Sequence, residues 1–333
     1  MANIDNNQNS FNEVLTLIQK AKQQVYKQAN STLITLYWDI GHYISDKTTK
    51  ESWGKGVVKE LEEYIKQKDP TLKGFNDRNL WRMKQFYETY ADTPKLSTLW
   101  TQLNWSNNRT IFSRCKRAEE REFYLNFAVK ERWGNRELER QINTSLFERV
   151  LLADNNLSDV MKSLPQSTEN TFRDSYVFEF LDIPKKHSEK TLQQALVSSL
   201  KDFILELGRG FTFVGQEYRL QVDVEDFFID LLFYHRDLQC LIAFELKIDK
   251  FKPAYLGQLE FYLEALDRDV KKEHENPSIG VLLCRDKTDK VVEYALSRSL
   301  SPTVIADYGT ELIPKELLER KVEELYRLYE GES

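Results

Sequence analysis

Apolar residues recur at helical spacing from Phe11 to Tyr43, through Val14, Leu15, Ile18, Val25, Leu33, Leu36 and Ile40, which predicts one long helix or a broken pair. A second helix is expected over 57–65, ending near Asp69-Pro70. Asn76 or Asp77 caps a third that runs to Tyr90 with Leu80, Met83, Phe86 and Tyr87 facing inward. Further helices are expected over 119–131 and 135–150. From Leu151 to Pro184 the pattern turns irregular and polar, with turn signals at Asp154-Asn155-Asn156 and from Pro165 to Asn170. The pattern then changes character. Ser188 caps a helix over 188–207, followed by a strand over 211–220, two dense apolar runs, a helix over 254–266, a strand over 279–284, a helix over 289–297, a strand over 303–306 and a last helix over 314–329. The expected organisation is an all-α N-terminal domain over 1–155, a linker over 156–186 and an α/β domain over 187–333, α+β overall.

The two dense runs, Phe227 to Tyr234 and Cys240 to Ile248, read as strands joined by a short polar connection, an antiparallel hairpin. Each carries charge where burial is expected: Asp230 in the first, Glu245 and Lys247 in the second. If Tyr234 pairs with Leu241, Asp230 falls opposite Glu245 with Cβ atoms about 4.5–5.5 Å apart, and Lys247 shares that face. Two buried carboxylates at that distance repel unless a proton or cation lies between them. A hard divalent cation, Mg²⁺ or Mn²⁺, resolves the conflict and keeps positions for water and phosphate oxygens. The competing reading pairs Asp230 with Lys247 as a buried ion pair and lets Glu245 reach water. The Glu-x-Lys spacing alone decides nothing, since Glu319-Arg320-Lys321 repeats it in a charged tail; the apolar frame is what separates the two.

Asp230 followed by Glu245-Leu246-Lys247 resembles the PD-(D/E)XK nucleases, with Ile229 where the nominal proline stands. The wording from Glu225 to His235, with Phe244 to Ile248 and Lys250-Phe251-Lys252-Pro253, resembles the C-terminal domain of the bacterial YhcG family. Gly74-Phe75-Asn76, Arg78 to Met83 and Arg136 to Ile142 resemble its N-terminal domain. The resemblance implies a restriction-endonuclease-like domain with a mixed central sheet and metal-dependent phosphodiester hydrolysis, in a family often encoded near defence systems. It also implies an auxiliary carboxylate at the first helix of that domain, best matched by Glu189 with Glu217 competing. Gln258 and Tyr262 match the Gln-x-x-x-Tyr element of nucleases related to RecB. Asp230, Glu245 and Glu189 are then the metal ligands, Lys247 the residue that attends the attacking water, and Gln258 and Tyr262 secondary site residues.

A net charge of −6 does not advertise a nucleic-acid binder, so local charge matters more. Lys250 and Lys252 follow the site. Arg109 to Arg117 is a basic stretch that includes Arg114, Lys116 and Arg117, and Arg78, Asn79 and Arg82 stand at the start of what reads as the second helix of a helix-turn-helix. Arg78, Arg82, Arg114, Arg117, Lys250 and Lys252 are therefore the candidate contacts to DNA, with RNA left open. A homodimer is the simplest way to cut both strands of a duplex, and the helical domain is expected to recruit DNA, a protein partner or a second subunit. Cys115, Cys240 and Cys284 are odd in number and widely spaced, which argues against disulfides and zinc knuckles, and the four scattered histidines argue against a zinc hydrolase. No segment suits a membrane span and no secretory leader is evident, so cytoplasmic residence is expected. The alternative from another class is a non-catalytic nucleic-acid-binding or complex-assembly module on the same fold.

Overall fold

The computed structural model describes residues 2–50, 53–153, 157–162, 164 and 171–331; the turn signals at Asp154-Asn155-Asn156 and Pro165 to Asn170 lie outside them. The chain forms two compact units, Met1–Arg140 and Gln141–Ser333.

The first unit is helical: α1 (Ala2–Lys50), α2 (Lys55–Lys68), α3 (Asp77–Tyr90), α4 (Ser97–Trp100), α5 (Trp105–Arg114), α6 (Ala118–Lys130) and α7 (Asn135–Asn143), which runs across the boundary. Asn76 caps α3, its side chain accepting from the Asn79 amide, and Leu80, Met83 and Phe86 are fully buried on the expected face. Tyr87 is half-buried, and Tyr90 takes the last inward position. The half of α1 that carries Ile34, Tyr37 and Ile44 packs on α3. Gly41 permits the approach, since a Cβ there would fall on the Met83 carbonyl. Trp38 stacks on Trp100 with ring centroids 5.0 Å apart and meets Phe86 edge-on. The connection from α2 to α3 runs over 69–76, longer than the three or four residues of a helix-turn-helix. Asn79, expected to be free at the start of α3, is occupied: its Oδ1 accepts from Trp105 Nε1 (2.9 Å) and its Nδ2 donates to the Gly74 carbonyl.

In the second unit the chain continues through α8 (Leu146–Leu151), α9 (Asp159–Lys162), β1 (Ser175–Val177), α10 (Glu189–Ser198), α11 (Leu200–Leu207), β2 (Phe211–Val222), β3 (Glu225–His235), β4 (Cys240–Lys250), α12 (Tyr255–Ala265), β5 (Ile279–Asp286), α13 (Asp289–Leu296), β6 (Thr303–Gly309) and α14 (Lys315–Gly331). The six strands form one mixed sheet in the order β1-β6-β5-β4-β3-β2. β2, β3 and β4 are antiparallel neighbours, and β4, β5, β6 and β1 are parallel. α10 and α11 cover one face through Leu192, Leu196, Phe203 and Leu207, meeting Phe233, Phe244 and Val281. α12 and α13 cover the other through Leu259, Tyr262, Leu263 and Val292, meeting Leu232, Ala243 and Leu282. A helical region followed by a mixed α/β sheet is the expected class of fold.

Three expectations change. The helix over 135–150 breaks at Ser145, whose φ is +54°, and that over 188–207 breaks at Ser199. The segment expected as linker contributes β1 and the buried Tyr176, Phe178 and Leu181, so the sheet begins before residue 187. A buried carboxylate organises this edge: Glu206, fully buried, accepts from the Val177 amide (3.0 Å) and pairs with Arg149 (3.3 Å) and Arg173 (3.0 Å). Among the described residues no helix is long and apolar enough to cross a membrane, and Cys115, Cys240 and Cys284 are buried and form no disulfide.

Candidate active site

The β3–β4 ladder has the expected register, Tyr234 opposite Leu241 and Leu231 opposite Phe244. One step beyond its last pair lie Asp230 and Glu245. Past this point the two strands part company, β4 continuing along β5 with Lys247 opposite Cys284, and β3 along β2 with Ile229 opposite Tyr218. Side chains take over from the main-chain ladder there. The Leu246 amide donates to Asp230 Oδ2 (2.8 Å), and Gln193 Nε2 on α10 donates to the Asp230 carbonyl (2.7 Å).

Alternation along β3 also slips at this position. Leu231 and Phe233 pack toward α11, yet Ile229 and Leu232 both pack toward α12. Opposite the slip stands Glu217, whose φ of +46° puts a non-glycine residue in the left-handed region, at a cost of about 1–2 kcal/mol. Such an irregularity re-aims one side chain without ending the strand. Here it falls at Asp230, the residue that the register already sets opposite Glu245.

Glu245 is 3 % exposed. Its Oε1 accepts from Lys247 Nζ at 2.8 Å, whereas its Oε2 is buried and has no partner. Lys247 Nζ also lies 3.6 Å from Glu189 Oε2, in the first turn of α10, and 5.4 Å from the centre of the Tyr255 ring. Burial, then the charge of Asp230, pushes the Glu245 carboxyl up to about 7. Asp230 is raised by burial, with Glu189 and Glu217 adding to the rise and the Leu246 amide and Lys247 opposing it. For Lys247 burial acts downward, but the hydrogen bond and charge of Glu245, with Glu189 and Asp230, outweigh it and hold the ammonium above its ordinary value. Three carboxylates thus share one ammonium in a largely desolvated fork, an arrangement that is short of positive charge.

Among the described residues no three His, Cys, Asp or Glu side chains converge as a ready metal-binding group. Magnesium needs only one or two carboxylates with waters. Hard oxygens at Asp230 and Glu245, and the unpartnered Glu245 Oε2, fit such an ion. Gln258 donates through Nε2 to the Tyr262 hydroxyl (2.6 Å) on α12, and Tyr262 is near enough to Glu245 and Asp230 for their charges to raise its hydroxyl, after burial. The structure therefore brings Asp230, Glu245, Lys247, Glu189 and Tyr262 together, with Gln258 bonded behind. Lys250 pairs with Asp286 (3.2 Å) and Lys252 with Asp249 (3.3 Å), both exposed just past the site. Arg78, Arg82, Arg114 and Arg117 belong to the helical unit.

Sequence reasoning missed Gln193 and Tyr255. Gln193 had a signal: it lies one turn after Glu189 and is a 4 %-exposed polar residue beside Leu192 on the apolar face of α10. Tyr255 had none, since its value depends on the ammonium folding back over its ring.

Comparison with known proteins accounts for both units. The family described as YhcG PDDEXK nuclease domain matches residues 169–323, and the DUF1016 N-terminal domain matches residues 13–149. A relative from Escherichia coli (strain K12), named "Putative nuclease YhcG", is 31% identical over 353 aligned positions that cover 94% of this chain and 92% of the relative. Among solved structures, a repair endonuclease from Pyrococcus abyssi aligns at 13% identity and a TM-score of 0.25, covering 39% of this chain and 49% of its own. EndoMS bound to double-stranded DNA aligns at 15% identity and a TM-score of 0.25, covering 38% and 45%. The aligned part is thus about half or less of either solved chain.

Proposed function

We infer that this chain, which belongs to the YhcG family of PDDEXK nuclease-domain proteins, is a metal-dependent nuclease that hydrolyses phosphodiester bonds in DNA. The observation that carries the reading is Glu245: a carboxylate buried opposite Asp230, one oxygen on Lys247 and the other without a partner. Asp230 and Glu245 would hold Mg²⁺ or Mn²⁺, with Glu189 as the auxiliary acid of the same site. When bound, the ion lowers the pKa of a coordinated water and screens the phosphate charge. Lys247, whose ammonium the surrounding carboxylates hold above its ordinary value, would orient the attacking water and meet negative charge that develops on the phosphate oxygens. Its hydrogen bond to Glu245 Oε1 also leaves Oε2 as the oxygen without a partner. Gln193 holds the Asp230 main chain, so that the carboxylate is set before substrate arrives. Tyr262, braced by Gln258, walls the α12 side of the site, and Lys250 and Lys252 offer charge to the strand leaving it. The helical domain, expected over 1–155, would recruit DNA, a partner or a second subunit.

One observation favours the non-catalytic module: Lys247 already bridges Glu245 and Glu189, so the fork is partly neutralised without an ion. The test is cleavage of labelled duplex, single-stranded and branched DNA with Mg²⁺ or Mn²⁺, comparing wild type, Lys247→Ala and a chelator control. Activity abolished in both controls supports the nuclease. Intact folding and nucleic-acid binding without cleavage by the wild type supports the module.

A further inference from the structure

α3 and α5 of the helical unit run side by side in the same direction. Asn79 meets Trp105 at their starts, through the 2.9 Å indole hydrogen bond, and Phe86 meets Phe112 two turns on, with ring centroids 5.8 Å apart. Both pairs join residues 26 apart in sequence, and the same offset sets Arg82 beside the turn of α5 that carries Arg109. Arg78, one turn before Arg82, lies on the same face of α3. Arg82 and Arg109 are half-buried and Arg78 is exposed. Among the described residues none of the three guanidiniums has a hydrogen-bond or ion-pair partner, and Arg109 Nε is buried with no acceptor.

Three like charges held together without an acid destabilise a fold. Burial, then Arg109 and Arg78, lowers the pKa of Arg82, which is the mark of that repulsion. The acids on or beside α3 are otherwise engaged: Asp77 accepts from the Arg78 amide, Glu62 accepts from the Asp77 amide, and Glu88 pairs with Lys84. A planar donor fork on each of three side chains suits an oxyanion, and a row of two exposed or half-exposed forks one turn apart suits successive phosphates.

We propose that Arg78, Arg82 and Arg109 form a phosphate-binding cluster through which the helical unit grips a nucleic-acid backbone. That the phosphates are those of nucleic acid rests on the nuclease reading; that the cluster takes an oxyanion does not. The cluster narrows the four arginines expected from sequence to Arg78 and Arg82, adds Arg109, and leaves out Arg114 and Arg117, which have other interactions.

The test is fluorescence anisotropy of a labelled DNA duplex with the full chain in chelator, measured across salt concentration. Arg82→Gln with Arg109→Gln should lower the slope of log affinity against log salt by about 2, one for each phosphate that is no longer neutralised. Lys59→Gln with Lys66→Gln, an equal charge change on exposed positions of α2, should leave it unchanged, and Arg82→Lys with Arg109→Lys should restore most of it. Thermal unfolding followed by tryptophan emission separates a binding role from a packing role: removing unpaired like charges should leave the transition where it is or raise it. Equal binding by wild type and the Gln pair, no binding by wild type, or reduced binding that tracks a lowered transition would each overturn the cluster. The two proposals fail separately. Wild-type cleavage with an indifferent Gln pair sinks only the cluster, and salt-dependent binding that disappears in the Gln pair without wild-type cleavage sinks only the nuclease.

Discussion

Replacing Glu245 with glutamine should stabilise the metal-free protein, although it removes a charge that is paired with Lys247. The folded carboxyl titrates at about 7 against an ordinary 4.5, with the Lys247 bond already counted among the causes. At 1.36 kcal/mol per tenfold, ionising it in the fold costs about 3 kcal/mol. The sign follows from proton binding: between these values the folded protein holds a proton that the unfolded chain has lost. Wild-type stability from this group is therefore full below 4.5 and is lost as pH rises through about 7. Glutamine keeps an acceptor for Lys247, offers amide protons toward Asp230, and does not titrate. Glu245→Gln should thus exceed wild type by up to about 3 kcal/mol at pH 8.5 in chelator, with the difference shrinking to nothing near pH 4.5. Millimolar Mg²⁺ should raise the wild type toward the variant and leave the variant unmoved. Urea unfolding by far-UV circular dichroism measures this. Trp38, Trp53, Trp81, Trp100, Trp105 and Trp133 all lie in the first unit, so tryptophan emission serves to identify and subtract its transition. A variant less stable than wild type at pH 8.5 in chelator, or a difference that does not change with pH, would refute the view of Glu245 as a carboxylate waiting for a cation.

Gln193→Ala should cost about 1–3 kcal/mol by orphaning the Asp230 carbonyl, and should weaken Mg²⁺ binding measured by calorimetry; unchanged metal affinity would show that Asp230 is positioned without it. Glu206→Gln should destabilise the second unit by about 3–5 kcal/mol, because Arg149 and Arg173 lose a buried counter-charge, read as early exchange of the β1 and β6 amides with deuterium. Gly41→Ala should lower the tryptophan-reported transition by about 1–3 kcal/mol, since the new methyl meets main chain on α3 that has no room to yield.

Much of the site was legible because a β-hairpin has few degrees of freedom. Once Phe227 to Tyr234 and Cys240 to Ile248 are taken as its arms, a period of two and the length of the connection leave one register that buries both apolar sets, and that register puts Asp230 beside Glu245. Helix starts were legible for a similar reason, since Asn76 and Ser188 each carry a side-chain acceptor three residues before an orphan amide. Glu189 followed from kinship, and its approach to Lys247 needed α10 to be placed. The first strand of the sheet was not legible. Ser175 to Val177 is too short to show a period, and its polar flanks read as turn.

What holds that strand in the sheet is a charge that local pattern does not expose: Glu206 sits near the end of an amphipathic helix, where an acid ordinarily faces water, and its partners lie on segments far apart in sequence. Glu206 and Glu245 are both buried acids that a hydrophobicity profile treats alike. They differ in their surroundings. Glu206 meets two guanidiniums and a main-chain amide, so its charge is answered within the chain, whereas Glu245 meets one ammonium and a second carboxylate and keeps an oxygen with nothing to accept from. A fold under selection for stability alone would complete the second arrangement as it completes the first. That it is left short of a cation at the one point where the β3–β4 ladder opens is the physical reason to look for the missing charge in solution.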